Sequence, residues 1–419
     1  MGDTQRIFRA VEICAGAGGQ ALGLERAGFE HDLLVELDDD AVATLRLNRP
    51  SWKVAAGDVA DKDVWNPSDY KGSVGLLAGG VPCPPFTVAG EQRGATDERD
   101  LFAWAVEQVG IIRPCALLLE NVRGLSQPRF AGYRQHVLDR LGEFGYGAEW
   151  RIVSASDYGL PQLRPRFILV AMQPEDLAYF HWPAPAASPP TVGQALLPLM
   201  SANGWEEAEA WAIRANGIAP TLVGGSKKHG GADLGPTRAK AKWAEMGANG
   251  WALADAAPTR GEVFEVGPKL TCEMAARLQG WDEEEFRWRF SGRKTALYRQ
   301  IGNAFPPPVA KALGVAIAAA LNHATAPRER GSEPEHDPIY RAPRKGGDFM
   351  TIDQIAKAIK SPIKADKLEC RINSLGKDFE LEVRDGNPIA YKIGPIKAFR
   401  GEAAHARHEQ FKRETRRIS

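Results

Sequence analysis

The stretch Arg9-Ala10-Val11-Glu12-Ile13-Cys14-Ala15-Gly16-Ala17-Gly18-Gly19-Gln20-Ala21-Leu22-Gly23-Leu24-Glu25 decides the fold. Its first part, "RAVEICA", is a short apolar run, which predicts a buried strand. Its last part continues as "GQALGLERAG" and has helical spacing. Between them stand the glycines of "GAGG", which let the backbone turn sharply and come close to a ligand. The same turn would also serve plain strand-to-helix packing.

Outward from it, "HDLLVEL", "WKVAAGDV", "SVGLLAGG", "ALLLENV", "WRIVSAS" and "RFILVAM" predict six more buried strands. Helical patterns lie between several of them: "DDAVATLRLN", "DLFAWAVEQVGII" and "YRQHVLDRLGEF". Such alternation predicts parallel strands with helices on both faces, a doubly wound Rossmann-like α/β domain over residues 1–182. From 183 to 265 proline, glycine and tryptophan rise and periodicity fades, which predicts a smaller irregular domain. Helices return in "TCEMAARLQG" and "PPPVAKALGVAIAAALNHA", so 266–324 is expected to rejoin the first domain. The polar stretch 325–348 predicts a linker. Residues 349–419 predict a small α+β module. It holds an amphipathic helix in "FMTIDQIAKAIKS", a hairpin around Asp385-Gly386-Asn387-Pro388, and a basic end, "AAHARHEQFKRETRRIS".

Lysines and arginines number 53 and so do aspartates and glutamates, so any nucleic-acid surface must be a local patch. The cysteines at 14, 83, 115, 272 and 370 form no CxxC pair, which speaks against a zinc site or disulfide framework and for a reducing cytoplasm. No metal is expected. No apolar run nears the ~20 residues of a membrane span, and the N-terminus lacks an apolar secretory leader.

Two carboxylates give the first turn a ligand. Glu36 ends the second strand twenty residues after Gly16, the usual place for a group gripping ribose hydroxyls. Asp58 ends the third strand, where it can accept from an adenine amino group. The loop is not a full G-x-G-x-x-G fingerprint, and no phosphate-binding lysine is present. An adenosine without pyrophosphate fits better, and S-adenosylmethionine is such a ligand.

The chemistry is expected one strand further on. Cys83 stands in "GGVPCPPFTVAG" (79–90), where three prolines forbid a helix and a central strand. A stiff frame fixes a sulfur in place, as a nucleophile requires. Glu120 ends the next strand beside Asn121, where a carboxyl group can donate a proton. In Gln162-Leu163-Arg164-Pro165-Arg166, residues 162, 164 and 166 are expected to share one face, an amide with two guanidinium groups. Together these suit cytosine. Its carbon 5 is a poor nucleophile until a thiolate adds at carbon 6 and a proton is supplied toward nitrogen 3.

The ordered motifs "EICAGAGG", "VELD", "GDV", "GGVPCPPFT", "LLLENV", "QLRPR", "AARLQG" and "RQIGNAFPPPVAKALG" span residues 11–318. In this order the sequence resembles the bacterial DNA (cytosine-5)-methyltransferases. The resemblance implies a Cys83 nucleophile, a Glu120 acid, and Arg164 and Arg166 holding the base and backbone. It implies a pocket for S-adenosylmethionine, and its product S-adenosylhomocysteine, from Cys14, Gly16, Gly18, Gly19, Glu36, Leu37, Asp58, Val59, Pro82, Leu101 and Asn303. It makes "VAGEQRGATDERD" a catalytic loop closing on DNA and 183–265 the target-recognition domain. Thr87, Gln162, Lys227, Lys228 and Arg238 are the expected DNA contacts, with Lys240 and Lys242 in the same basic stretch. The partner implied is duplex DNA with its target base flipped out, and a restriction endonuclease sharing the site; a monomer is expected. An RNA cytosine methyltransferase or a catalytically inactive relative are the rival readings. Two departures stand out: Cys14 where the family often carries Phe, and Thr271-Cys272-Glu273-Met274 where it often reads Thr-Pro-Arg-Glu.

Overall fold

The computed structural model describes residues 7–81, 101–185, 188–224, 232–281, 284–329, 336–345, 347–360, 363–376 and 378–396. The seven expected strands all form: β1 (Phe8–Ile13), β2 (Phe29–Glu36), β3 (Val54–Ala56), β4 (Leu76–Gly79), β5 (Ala116–Val122), β6 (Gly147–Ser154) and β7 (Pro165–Met172). They make one sheet in the order β3-β2-β1-β4-β5-β7-β6. The helices between them are α1 (Gly19–Arg26), α2 (Asp39–Asn48), α3 (Leu101–Ile112) and α4 (Ala131–Glu143), with α5 (Pro174–Leu177) after β7. β1 to β5 run parallel, as the alternation predicts. β7 does not; it is antiparallel to both β5 and β6. A parallel neighbour needs a crossover of about a dozen residues or more, and residues 155–164 are too few. The chain therefore doubles back, which brings "QLRPR" to the sheet edge where β1, β4 and β5 end.

Period-two alternation splits the strands between two cores. On one face Val11, Ile13, Leu77, Leu117 and Leu119 pack with Phe102 and Val106 of α3 and Tyr133 and Val137 of α4. On the other, Phe8, Ala10, Leu76, Leu118 and Ile168 meet Leu24 of α1 and Val309, Leu313 and Ile317 from the far end of the family of helices. Those helices are α6 (Val192–Met200), α7 (Ala208–Arg214), α8 (Thr237–Glu245), α9 (Cys272–Leu278), α10 (Lys294–Asn303) and α11 (Pro307–Leu321). α6 to α8 fall in the stretch expected to be irregular. Among its described residues, no named strand joins the three short helices. Three of its four tryptophans are core, Trp205, Trp211 and Trp243 being buried with Met274 of α9 and Ile301 of α10, while Trp251 is exposed. The apolar run Lys294–Leu321 is two helices joined by Ala304–Pro306, and α11 lies against α1.

The expectation of a linker over 325–348 is corrected. The Thr325 hydroxyl donates to the Tyr179 carbonyl, and Arg328 pairs with Glu149. Residues Pro338–Lys345 form α12, which packs along α4. Tyr340 is fully buried, its hydroxyl 3.2 Å from His136 Nδ1, and Arg341 pairs with Asp139 at 3.0 Å. The sequence is polar because its apolar residues, Ile339 and Tyr340, are few and all turn inward. The predicted helix and hairpin beyond it both form: β8 (Met350–Thr351), α13 (Ile352–Ile359), α14 (Ala365–Leu375), β9 (Phe379–Arg384) and β10 (Ala390–Ile396). Ile372, Leu375 and Phe379 belong to the same buried cluster as α3 and α4. This module is docked and not tethered.

α1 lies so close to α11 that a Cβ on Gly23 would stand 2.4 Å from the Pro307 carbonyl oxygen and 2.5 Å from Ala310 Cβ. Gly23→Ala is expected to force the two helices apart at a cost of about 1–3 kcal/mol. A fall in thermal midpoint of about 3–10 °C, followed by circular dichroism, is the expected result.

Candidate active site

The carboxyl ends of β1, β2, β4 and β5 open on a cavity of about 520 Å3. Its walls include Cys14, Gly16, Glu36, Leu37, Asp58, Val59, Leu101, Glu120 and Asn303, nine of the residues singled out from the sequence. β2 delivers Glu36 to this edge, and backbone N–H groups fix its carboxylate. Oε2 accepts from Gly16 at 2.7 Å; Oε1 accepts from Leu37 at 2.9 Å and Asp38 at 2.7 Å. Burial raises its pKa above the ordinary glutamate value, and those three hydrogen bonds work against the rise. Gly16 can make its turn because it sits at φ 55°. Asp58 accepts from the Ala60 N–H at 2.9 Å, which holds it at the turn after β3.

Cys14 also has a left-handed φ, 50°. Burial, and then the charges of Glu36, Asp58 and Glu12, push its thiol well above its usual pKa. It stays protonated and offers the cavity a small neutral wall. Gly18 and Gly19 stand at the start of α1, where close packing leaves no room for a side chain. A Cβ on Gly19 would meet the Phe305 carbonyl oxygen at 2.2 Å, and one on Gly18 would meet Leu45 at 2.7 Å. Those glycines let α1 seat against the returning chain.

Sequence reasoning missed several walls. Arg299 of α10 reaches across to Asp38, which caps α2, at 3.2 Å. Gln20 is 3% exposed and lines the cavity, yet among the described residues neither its amide oxygen nor its amide nitrogen has a hydrogen-bond partner. Its only sequence signal is a polar residue in an otherwise apolar first turn of α1.

At the cavity's other end Glu120 closes β5, and Arg166 at the start of β7 meets it with Nε 2.5 Å from Oε1. Both side chains are 12% exposed. Gly80 lies beside this pair, shortly before Pro82 and Cys83. Pro82, Cys83, Thr87, the loop 88–100, Lys227 and Lys228 lie outside the described residues. Arg238 is exposed on α8. Its neighbours Lys240 and Lys242 pair with Asp233 and Glu245, both at 2.7 Å.

Gln162 and Arg164 are corrected. They do not share an open face with Arg166, because Pro165 starts a strand while the residues before it turn inward. Gln162 is fully buried: its Nε2 donates to the Leu278 carbonyl and to Gln279 Oε1, and its Oε1 accepts from Leu222 N–H. Arg164 is 1% exposed and donates to the carbonyls of Leu222 at 2.8 Å, Gly302 at 3.0 Å and Ala304 at 2.6 Å. No donor is left on Gln162 for DNA, and the Arg164 guanidinium faces protein rather than substrate.

Comparison with known proteins follows this geometry. The family profile of the C-5 cytosine-specific DNA methylases matches residues 8–319. The Type II methyltransferase M.NaeI of Lentzea aerocolonigenes is 62% identical over 413 residues, covering 98% of this chain and 99% of that one. The Type II methyltransferase M.NgoMIV of Neisseria gonorrhoeae is 47% identical over 318 residues, 98% of its own length and 75% of this chain. Among solved structures, a prophage-encoded DNA modification methyltransferase of E. coli superimposes with a TM-score of 0.52 at 23% identity, covering 75% of this chain and 99% of that one. That likeness shows the shared fold.

Arg164→Met would leave three buried carbonyls without donors, at about 1–3 kcal/mol each. The expected outcome is a urea midpoint lowered by several kcal/mol of stability with an unchanged m value; a midpoint within error of the parent protein would contradict the role of this residue as a strut.

Proposed function

The chain belongs to the C-5 cytosine-specific DNA methylases, and from that premise we propose how its own residues methylate cytosine in duplex DNA. It is a DNA cytosine methyltransferase, and its family draws the methyl group from S-adenosylmethionine. The observation that carries the proposal is the single cavity shared by Glu36, Asp58 and Asn303 at one end and by Glu120 at the other.

The lining suits that cofactor. Glu36, already oriented by three N–H groups, accepts from ribose hydroxyls. Asp58 accepts from the adenine amino group, with Leu37, Val59 and Leu101 as apolar walls. Gln20 offers one free donor and one free acceptor, the pairing that an amino-acid end with both a carboxylate and an ammonium requires. When bound, the cofactor supplies an electrophilic sulfonium methyl group to carbon 5.

The remaining work belongs to the protein. Cys83, held by its prolines, adds as thiolate to carbon 6 of the flipped base. That addition pushes an electron pair into the ring and makes carbon 5 nucleophilic, while Glu120 donates a proton toward ring nitrogen 3 to neutralise the charge and takes it back on elimination. Arg166 fixes the carboxyl group in the donating orientation through its 2.5 Å contact. After transfer the carbon 5 proton is lost, the thiolate leaves and aromaticity returns. The region 183–265 reads the target through Arg238, Lys227 and Lys228, and the loop 88–100 closes over the base. Both curated relatives are named Type II methyltransferases, and we assign this chain the modification half of such a system, sharing its target site with an endonuclease in the cytoplasm.

A duplex carrying 5-fluorocytosine at the target tests the scheme, since fluorine cannot leave as a proton does. Parent protein with cofactor is expected to form a covalent complex through Cys83. Cys83→Ser is expected to form none while binding S-adenosylhomocysteine as tightly as the parent. An adduct on another cysteine would sink the assignment. Glu36→Ala is expected to weaken S-adenosylhomocysteine about tenfold or more, the loss of a charge-assisted pair of hydrogen bonds worth roughly 1.5–3 kcal/mol; unchanged affinity by calorimetry removes Glu36 from the site.

A further inference from the structure

None of the described residues beyond 337 lines the cavity. They run helix, strand, helix, helix, strand, strand: α12, β8, α13, α14, β9, β10. The three strands pair antiparallel in the order β8-β10-β9. α13 and α14 pack on each other and on α12. The turn between them starts at Lys360, in the left-handed conformation with φ 49° and ψ 37°. Ile355, Leu368, Ile372, Leu375, Phe379 and Tyr391 fill the space between helices and sheet. This is a helix-turn-helix closed by a three-stranded sheet, with the hairpin tip 385–389 standing out as a wing.

We propose that this module is a second duplex-DNA-binding unit, with α14 as the helix laid into a groove and the wing beside it on the phosphates. A fold alone does not carry a function; the faces that docking leaves open do. The module meets α4 through α12 and through Leu375, which lies over Gly132 with Phe379 alongside. Among the described residues, nothing covers the opposite face of α14. Asp366, Lys367, Cys370 and Asn373 are exposed along it, and no large apolar side chain interrupts them. Lys360 and Lys364 are exposed at the turn leading into it. Arg384, 61% exposed, stands at the base of the wing over the Phe349 ring. Lysines and arginine suit phosphates. Asparagine and aspartate suit base edges, with acceptors and donors at the spacing of a groove-facing helix.

Charge points the same way. Residues 349–419 hold fifteen lysines and arginines against ten acids, in a chain that is neutral overall. Within it, 349–396 holds eight lysines and arginines against seven acids, and 397–419 holds seven against three, so most of the excess follows the folded module in the sequence. A neutral methyltransferase gains from such a separate patch, because phosphate contacts supply most non-specific affinity. The family profile matches residues 8–319 and so ends before the module begins. An auxiliary contact to the same DNA is the role left for it.

The test uses the full chain. Lys364→Ala, Lys367→Ala and Arg384→Ala are combined, and binding to a duplex lacking the target site is followed across a salt series. At about 0.9 counterion per phosphate contact, three lost contacts make the slope of log affinity against log salt shallower by about 2.7. Affinity at low salt is expected to fall roughly tenfold or more, with the thermal midpoint, S-adenosylhomocysteine affinity and methylation rate at saturating DNA unchanged. A second measurement needs no variant. Acetylation of the parent protein by a lysine-reactive reagent, read by mass spectrometry, is expected to spare Lys360, Lys364 and Lys367 when duplex DNA is present. Equal affinities and equal slopes overturn the proposal. So does equal acetylation with and without DNA, which would leave this face to a protein partner.

Discussion

The buried guanidinium of Arg164 is the contact that ties the end of the sheet to the segment 219–222 and to the end of α10. It sits at the link between β6 and β7, with an uncommon φ of 28°, and its donors reach carbonyls from three places: Leu222, Gly302 and Ala304. Burial pushes its pKa well down from the ordinary arginine value, with the neighbouring Arg166 adding to the effect. A buried charge is tolerated only where oxygen atoms surround it. Here main-chain carbonyls supply them, so the ends of α10 and of the 219–222 segment must come to this point. Gln162 repeats the logic one step away with a neutral amide, tying Leu222 to Leu278 and Gln279. Five residues thereby clamp the region of α6 to α8 onto the returning helices.

That clamp shapes the cavity. Once the end of α10 is fixed by Arg164, Arg299 and Asn303 on the same helix become its wall, and Arg299 can reach Asp38 at the start of α2. The reversal of β7 is the other half of the geometry. Because β7 runs against β5, the start of β7 lies at the end of β5, and Arg166 meets Glu120 there. A parallel β7 would have put the arginine at the opposite edge of the sheet. The acid and its orienting cation are thus a consequence of a short connection, and that connection also carries the clamp.

Much of this was legible in the sequence. Seven strands and the four helices among the first six of them follow from apolar runs and period, since a buried parallel strand has no polar face to hide it. Glu36, Asp58 and Glu120 were legible as residues of the cavity because strand ends give their positions away, whereas Asn303, at the end of α10, came from the family resemblance. Three things were not. The direction of β7 depends on the length of a loop that contains a one-turn helix, and apolar content says nothing about direction. The inward turn of Gln162 and Arg164 was hidden because polar residues in an exposed strip and polar residues bridging buried carbonyls look alike in one dimension. The packed state of α12 was hidden by composition: Ile339 and Tyr340 do the burying amid charged and proline residues, whose own partners, Asp139 for Arg341 and Gly394 for Arg344, lie far away in the chain.

Cys14 and Gln20 bear on each other across the same turn. Where relatives often place a phenylalanine, this chain has a small thiol held neutral by burial and by three nearby carboxylates. A smaller wall at that point gives up apolar contact area, worth about 25 cal/mol for each Å2 withdrawn from water. Six residues on, the helix that the turn opens carries an amide with both of its polar atoms unspent. An unpaired buried amide costs about 1–3 kcal/mol in the empty protein, and that cost is recovered when a ligand supplies its partners. The cavity therefore leans less on stacking against a ring and more on hydrogen bonds that exist only when it is filled. The Glu36 carboxylate is of the same kind: its existing bonds are all to backbone N–H groups, which orient the oxygens without using up the lone pairs that face the cavity. The polar groups of the cavity are held still by the fold, because the glycines beside them let α1 press against the returning chain.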